Sequence, residues 1–150
     1  GTAELIETDN AGDALIPQIA IDTNGNAIMV WVQSDGVWNN RYTVGSGWGT
    51  PEQINEQINI NNGIVQIGMD ANGNAMAIWF QPDLNISRAF TIWASRYTLG
   101  SGWSKAELIS AETPLEAGHL QLAVNTDGNS VVVWSQSDGA RANIWANRFE

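Results

Sequence analysis

The chain has 150 residues, of which 43% are hydrophobic and 15% charged, a balance typical of a globular chain with a core and not of a disordered one. Its formal net charge is −10, and six Lys and Arg residues cannot neutralise a nucleic-acid backbone, which excludes nucleic acid as a partner. The absence of cysteine excludes disulfides and thiolate metal sites, and no apolar run approaches the roughly twenty residues of a membrane span.

Three copies of one repeat make up the chain. Each copy carries a Glu, a Gln fourteen residues later and a Trp thirteen residues beyond that Gln, with nothing inserted between them. These landmarks are Glu4, Gln18 and Trp31, then Glu52, Gln66 and Trp79, and finally Glu107, Gln121 and Trp134. A fixed period of this kind is the sequence signature of a repeat architecture.

The predicted elements of one copy are four short β-strands. The first, Ile19–Ile21, runs into an Asn-Gly turn, which supplies the positive φ angle that a tight hairpin needs. The second, Ala27–Gln33, is rich in β-branched and aromatic residues. The third carries Trp38–Tyr42, a Gly-Ser-Gly turn follows, and the fourth carries Thr50–Ile54. The same order recurs in the other two copies, except that the third copy has no fourth strand before Glu150.

Four strands in roughly fifty residues, with no helical period, are the pattern of one β-propeller blade. We therefore predict an all-β propeller of four-stranded blades, in a single domain over residues 1–150. Its three blades span about 15–54, 64–109 and 118–150. One position on the first strand is always small, as a wedge that narrows toward the ring axis requires, and its residues are Ala20, Gly68 and Ala123.

The position of the fourth strand predicts how the ring closes. Residues 2–6 match the fourth strand of the repeat, whereas the third copy lacks one. Three blades are fewer than the four that a propeller needs, and an unpaired strand edge is a site for pairing with another chain. We predict that two chains join head to tail as a six-bladed ring, in which residues 2–6 complete the last blade of the partner. The closure residues are Leu5, Ile6, Trp145 and Phe149. The alternative is a fragment of a longer propeller.

A Trp and an Arg three residues apart recur on the third strand. The Trp residues are Trp38, Trp93 and Trp145, and the Arg residues are Arg41, Arg96 and Arg148. Residues three apart point to opposite faces of a sheet, so a Trp and its own Arg cannot form a joint site. In one interpretation the Trp packs at the blade rim and the Arg pairs with the recurring Glu of the adjacent strand. In the other, these residues form a sugar site between blades, where Trp stacks on a ring and Arg and Glu hold hydroxyls.

No catalytic residues, metal or cofactor are predicted. Residues 22–26 partly resemble a calcium-binding loop, but they lack its later acidic ligand, so we expect a plain hairpin turn. His119 is the single histidine, has no Ser or Cys motif around it and is expected in a loop. A hydrolase of the sialidase type is disfavoured, because those propellers need an arginine cluster on the axis and the six basic residues here are scattered.

The run MVWVQSDGVWNNRYTVGSGW (Met29 to Trp48), repeated in part from Val132 to Phe149, resembles the blade repeat of bacterial and fungal fucose-binding propeller lectins. The resemblance implies glycan binding and, for some members, six-bladed rings built from short chains. The sugar-holding Arg of that family falls at Met29, Ala77 and Val132, so a fucose site is not carried over. The repeat is also similar to uncharacterised bacterial propeller repeats of the GNAxxVW type, which imply no activity.

The sequence therefore predicts a non-enzymatic, lectin-like module that binds glycan as a homodimeric ring and neither enters a membrane nor needs a cofactor. The alternative is a structural or engineered self-assembling scaffold with no ligand of its own. We expect a secreted or bacterial cell-surface location.

Overall fold

The computed structural model describes residues 1–7, 12–33, 36–55, 64–82, 86, 89–110 and 115–150. Within these ranges every regular element is a β-strand, and no helix is long and apolar enough to cross a membrane. The strands are β1 (Ala14–Ile21), β2 (Ala27–Gln33), β3 (Gly36–Thr43), β4 (Gly47–Trp48), β5 (Glu52–Gln53), β6 (Val65–Met69), β7 (Ala75–Pro82), β8 (Ala89–Thr98), β9 (Gly102–Trp103), β10 (Glu107–Leu108), β11 (Leu115–Val124), β12 (Ser130–Ser137) and β13 (Ala142–Phe149). The predicted all-β class is confirmed.

Each repeat folds into one antiparallel blade in chain order. In the first blade β1 pairs with β2 and β2 with β3, and both β4 and β5 pair with the outer side of β3. In the second blade β6, β7 and β8 follow the same order, with β9 and β10 both on β8. The third blade consists of β11, β12 and β13. In all three blades the second and third strands place two Trp residues opposite each other.

The outer strand of the first blade is in two parts: β5 (Glu52–Gln53) is shorter than the predicted Thr50–Ile54, and β4 (Gly47–Trp48) lies in the predicted turn. In the first blade its two parts flank a short gap in which Gly49 N donates to the Arg41 carbonyl oxygen at 2.8 Å. Pro51 in the same gap has no N–H group to donate to the ladder. Residues 1–7, which match this element in sequence, have no regular secondary structure here.

All three first strands are longer than predicted, and two of them contain a β-bulge. The bulge in β1 lies between Leu15 and Gln18, and the bulge in β11 lies between Gly118 and Gln121. Ile16 and His119 occupy equivalent positions in these bulges, with φ angles of 56° and 55°. The expectation of His119 in a loop is therefore wrong, because an extra residue with left-handed backbone interrupts strand alternation without ending the strand.

A link between the second and third blades was not predicted. The start of β11 pairs with the start of β8, with Leu115 opposite Phe90 and Glu116 opposite Ala89. One continuous eight-stranded sheet results. Its two blades are joined by backbone hydrogen bonds as well as by side-chain packing.

The Asp22 carboxylate closes the turn between β1 and β2. Its Oδ1 accepts the backbone N–H groups of Asn24 and Asn26 at 2.8 and 2.9 Å, and its Oδ2 accepts Asn26 Nδ2 at 2.8 Å. Burial raises the pKa of Asp22, but the hydrogen bonds from Asn26 and Asn24 together outweigh it and hold the pKa below its ordinary value. Gly25 supplies the positive φ angle of this turn, at 86°.

The core lies between blades. We call the blade surface turned toward the next repeat its forward face, and the surface turned toward the preceding repeat its rear face. Ile28 and Val37 on the forward face of the first blade form one apolar cluster with Ala77 and Trp79 on the rear face of the second. A second cluster joins the forward face of the second blade to the rear face of the third in the same way. The hydrophobic burial that stabilises the fold therefore depends on neighbouring repeats.

Candidate functional site

The three Trp residues predicted for ligand binding have different surroundings. Trp93 is half-buried on the rear face of the second blade, and its Nε1 donates to Thr91 Oγ1 at 3.0 Å. Trp145 is 47% exposed, and its Nε1 donates to the Gln136 carbonyl oxygen at 3.3 Å. Trp38 is half-buried with an unpaired Nε1. Trp93 is the one of the three that lines the large cavity described below.

Two of the three predicted Arg residues reach across to the next blade. Arg41 lies over the Tyr97 ring, with Cζ 5.6 Å from the ring centroid, and its Nη1 donates to Tyr97 Oη at 3.2 Å. Arg96 lies over the Phe149 ring at 5.3 Å. The expected pairing of Arg with the Glu of the adjacent strand is thus replaced by stacking between blades. Arg148 is exposed and pairs with Glu150.

A cavity of about 770 Å³ lies between the first and second blades. Its walls come from the end of the outer strand of the first blade and from the rear face and outer strand of the second. The lining residues include Glu52, Asn55, Trp79, Gln81, Trp93, Trp103 and Lys105. We call this cavity the inter-blade cleft.

Four polar atoms of the cleft residues have no hydrogen-bond partner among the described residues. They are Asn55 Nδ2, Trp79 Nε1, Gln81 Oε1 and Trp103 Nε1. A buried polar atom without a partner costs about 1–3 kcal/mol and is rare in native proteins. Four such atoms around one cavity therefore point to a missing polar partner.

Comparison with the other blades shows what is unusual about the cleft. In the first blade Trp31 Nε1 donates to Gln33 Oε1 at 2.9 Å, and in the third Trp134 Nε1 donates to Gln136 Oε1 at 3.1 Å. The equivalent pair in the second blade is Trp79 and Gln81, and there both atoms are unpaired. The internal hydrogen bond of the other two blades is absent at this one position.

The residue that follows the outer strand also differs at the three equivalent positions. Near the first blade Glu7 accepts from Gln33 Nε2 at 3.5 Å, and near the third Ser110 Oγ accepts from the Ile92 backbone at 3.0 Å. At the cleft Asn55 Oδ1 accepts from Val37 N at 2.7 Å, which leaves its Nδ2 group without a partner. The residues that line the cleft with Trp93 therefore carry three buried N–H donors and one buried carbonyl acceptor without a partner.

Smaller cavities occur beside other predicted residues. One of about 230 Å³, between the second and third blades, is lined by Arg96, Asp70 and Asp127. Another of about 200 Å³ is lined by Glu4, Glu7 and Trp31, the residues equivalent to part of the cleft. No group of three or more His, Cys, Asp or Glu residues suited to a metal ion occurs in the described ranges.

Sequence reasoning missed most of the cleft residues. The Trp-x-Gln pattern is visible in all three copies, at Trp31-Val-Gln33, Trp79-Phe-Gln81 and Trp134-Ser-Gln136. The one available signal was the residue after the fourth strand, which changes between the copies while the Trp and Gln do not.

Solved structures of similar fold are a Hadza microbial sialidase and an endo-arabinase from Bacteroides thetaiotaomicron. The sialidase is 15% identical with a TM-score of 0.58, over 91% of this chain and 35% of that one. The endo-arabinase is 12% identical with a TM-score of 0.56, over 98% of this chain and 59% of that one. The fold is of the β-propeller class. The chain spans between a third and three-fifths of the length of these structures.

The sequence matches no protein-family model and no curated protein. The expectation of a non-enzymatic module is wrong, because the two propellers of similar fold named above are enzymes, a sialidase and an endo-arabinase. The predicted propeller class is confirmed.

Proposed function

We propose that this β-propeller chain binds a carbohydrate, and that the ligand occupies the inter-blade cleft. The observation that carries the proposal is that Trp79 Nε1 and Gln81 Oε1 are unpaired, whereas the equivalent Trp and Gln atoms are hydrogen-bonded to each other in both neighbouring blades. A ligand that accepts from the indole and donates to the amide restores both hydrogen bonds. A sugar hydroxyl can do both at once.

The surroundings of these two atoms suit a sugar. Indole rings present a flat apolar surface against which the C–H face of a sugar ring packs, and Trp93 and Trp103 both line the cleft. Ligand sites are typically cavities of about 300–1,000 Å³ with few polar groups on apolar walls, and the cleft falls within that range. Of the six residues predicted for ligand binding, the proposal retains Trp93 as the stacking residue. The carbohydrate-active proteins of similar fold support this ligand class.

The test is a glycan array, followed by calorimetric titration of a retained glycan. Trp93→Ala and Gln81→Ala should each weaken binding about tenfold or more, as expected for central residues of a binding site. Trp38→Ala, at the same repeat position in the first blade, is the matched control and should leave the affinity unchanged. A blank array from folded protein contradicts the proposal and favours the scaffold alternative. Equal losses in all three variants would place the ligand outside the cleft.

We further propose that two copies close head to tail as a six-bladed ring, in a secreted or cell-surface setting. Asn40 Nδ2 on β3 donates to the Ile6 carbonyl oxygen at 3.1 Å, and Asn147 Nδ2 on β13 donates to the Ile109 carbonyl oxygen at 3.2 Å. Ile6 and Ile109 are at equivalent repeat positions, and each contacts the third strand of the blade that follows it. This position supports the proposal that Leu5 and Ile6 belong to an outer strand that pairs with β13 of a second copy. Trp145 and Phe149 of that second copy lie on β13.

Sedimentation equilibrium of the 150-residue chain measures its mass in solution. We expect twice the chain mass of 16.2 kDa. A Leu5→Asp variant should shift the equilibrium toward monomer, because a charge replaces a 78% exposed apolar side chain at the proposed joint. A monomeric mass for the unmodified chain across micromolar concentrations would rule out the ring.

A further inference from the structure

One contact between neighbouring blades occurs twice inside the chain. The Arg41 guanidinium of the first blade lies 5.6 Å from the Tyr97 ring centroid of the second, and Arg96 of the second lies 5.3 Å from the Phe149 ring centroid of the third. In both cases the Arg and the ring come from the third strand of their blades. The ring residue always directly follows the Arg position of its own blade.

The two halves of one more such contact lie at opposite ends of the described chain. Arg148 is at the Arg position of the third blade, and its side chain is 68% exposed. Tyr42 is at the ring position of the first blade and is half-buried, in edge contact with Trp48 at 5.6 Å between centroids. No third-strand Arg lies over Tyr42 among the described contacts, although both equivalent rings have one.

The blade faces that carry Arg148 and Tyr42 also expose apolar side chains. Equivalent side chains pack against each other between neighbouring blades inside the chain. Ile28 and Val37 on the forward face of the first blade pack with Ile67 and Met69 on the rear face of the second. The equivalents on the forward face of the third blade are Val131, 42% exposed, and Ile144, 79% exposed. The equivalents on the rear face of the first blade are Ile19 and Ile21, 61% and 66% exposed. The forward face of the third blade and the rear face of the first are therefore exposed, and faces of the same two kinds pack against each other at both internal blade interfaces.

We propose that Arg148 of one copy stacks on Tyr42 of a second copy, and that this contact sets the register of the joint between them. The inference rests on the ring closure proposed above and adds the residues that determine it. Apolar faces alone allow neighbouring sheets to slide, whereas a guanidinium over one ring has a single correct position. A cation–aromatic contact of this kind changes an equilibrium by roughly 2- to 30-fold.

The experiment measures the dimer dissociation constant by sedimentation equilibrium for the full chain and five variants. Arg148→Ala and Tyr42→Ala should each raise the constant about tenfold, and the double variant should be no weaker than either single one. Tyr42→Phe should keep the unmodified constant, because Phe149 already fills this role under Arg96. Arg141→Ala is the control, since Arg141 is exposed and faces Asp138 of its own hairpin.

The outcomes separate the two proposals. If the unmodified chain is monomeric, the ring closure fails and this inference fails with it. If the chain is dimeric but Arg148→Ala stays within twofold of it, the ring stands and the Arg148 contact is wrong. Additive losses in the double variant would likewise show that the two residues do not meet. A far-ultraviolet circular dichroism spectrum identical to that of the unmodified chain confirms that Tyr42→Ala is folded.

Discussion

At the scale of single residues, one glutamine position has different partners in the three blades. Gln33 and Gln136 accept the indole N–H of the Trp two residues before them, on the same strand. Gln81 does not: its Oε1 is buried without a partner, and the residue lines the inter-blade cleft. The same residue type therefore makes this structural hydrogen bond in two blades and does not make it in the third.

This difference predicts unequal effects on stability when each Gln is replaced by Ala. Gln33→Ala should lower the free energy of unfolding by about 1–3 kcal/mol, because it leaves the buried Trp31 Nε1 without an acceptor. Gln81→Ala should change it by less than about 0.5 kcal/mol, because Gln81 Oε1 has no hydrogen bond to lose. Urea denaturation of the two variants measures both. A larger loss for Gln81→Ala would show that its amide has a structural partner.

The sequence alone could not identify this position. Trp79 and Gln81 stand in the same pattern as their equivalents, so the pattern predicts three identical pairs. Whether the pair forms depends on neighbours from another repeat, among them Asn55 at the end of the preceding outer strand. A contact between repeats is set by tertiary packing, which local sequence does not specify.

At the scale of elements, the inner strands of the second and third blades lie close together at Gly68. A Cβ atom added there would lie 3.1 Å from Val124 Cβ and closer still to its Cγ2. The neighbouring Gln66 Oε1 accepts the Leu122 backbone N–H at 2.8 Å, which fixes the separation of β6 and β11. The small residue predicted at this position is thus required by the spacing of the two strands.

Gly68→Ala should lower the free energy of unfolding by about 1–3 kcal/mol, because the added methyl group overpacks the contact with Val124. Val124→Ala removes the obstructing methyl groups, so the double variant should be more stable than the sum of the single effects predicts. Thermal unfolding of the four proteins measures this coupling. Strict additivity would mean that β6 and β11 move apart freely.

Other elements show where strand prediction succeeds. The second strand was predicted at Ala27–Gln33 and is found there, because its β-branched and aromatic residues favour one extended segment. The first strand was predicted too short, because the bulge at Ile16 breaks the alternation that sequence reasoning follows. The fourth strand was predicted too long at Thr50–Ile54, because Pro51 has no backbone donor and regular pairing begins only at Glu52.

At the scale of the whole molecule, the repeat period predicted the propeller class, and the solved structures of similar fold confirm it. The sequence also disfavoured a hydrolase of the sialidase type, because only six basic residues are present and they are scattered. That argument could not exclude an enzyme. It judged the fold by one family's site, whereas a fold accommodates many sites and chemistries.

The difference between the second blade and its neighbours has a consequence for avidity. In the described residues the Trp–Gln hydrogen bond is missing at one blade out of three, so each chain presents one such cleft. A two-fold ring would carry two clefts on opposite sides of one rigid body, half a turn apart. Two tethered sites can exceed the affinity of one by about 10²- to 10⁴-fold on a surface dense in ligand. Head-to-tail pairing would thereby turn a weak single-site binder into a bivalent cross-linker of glycan-coated surfaces.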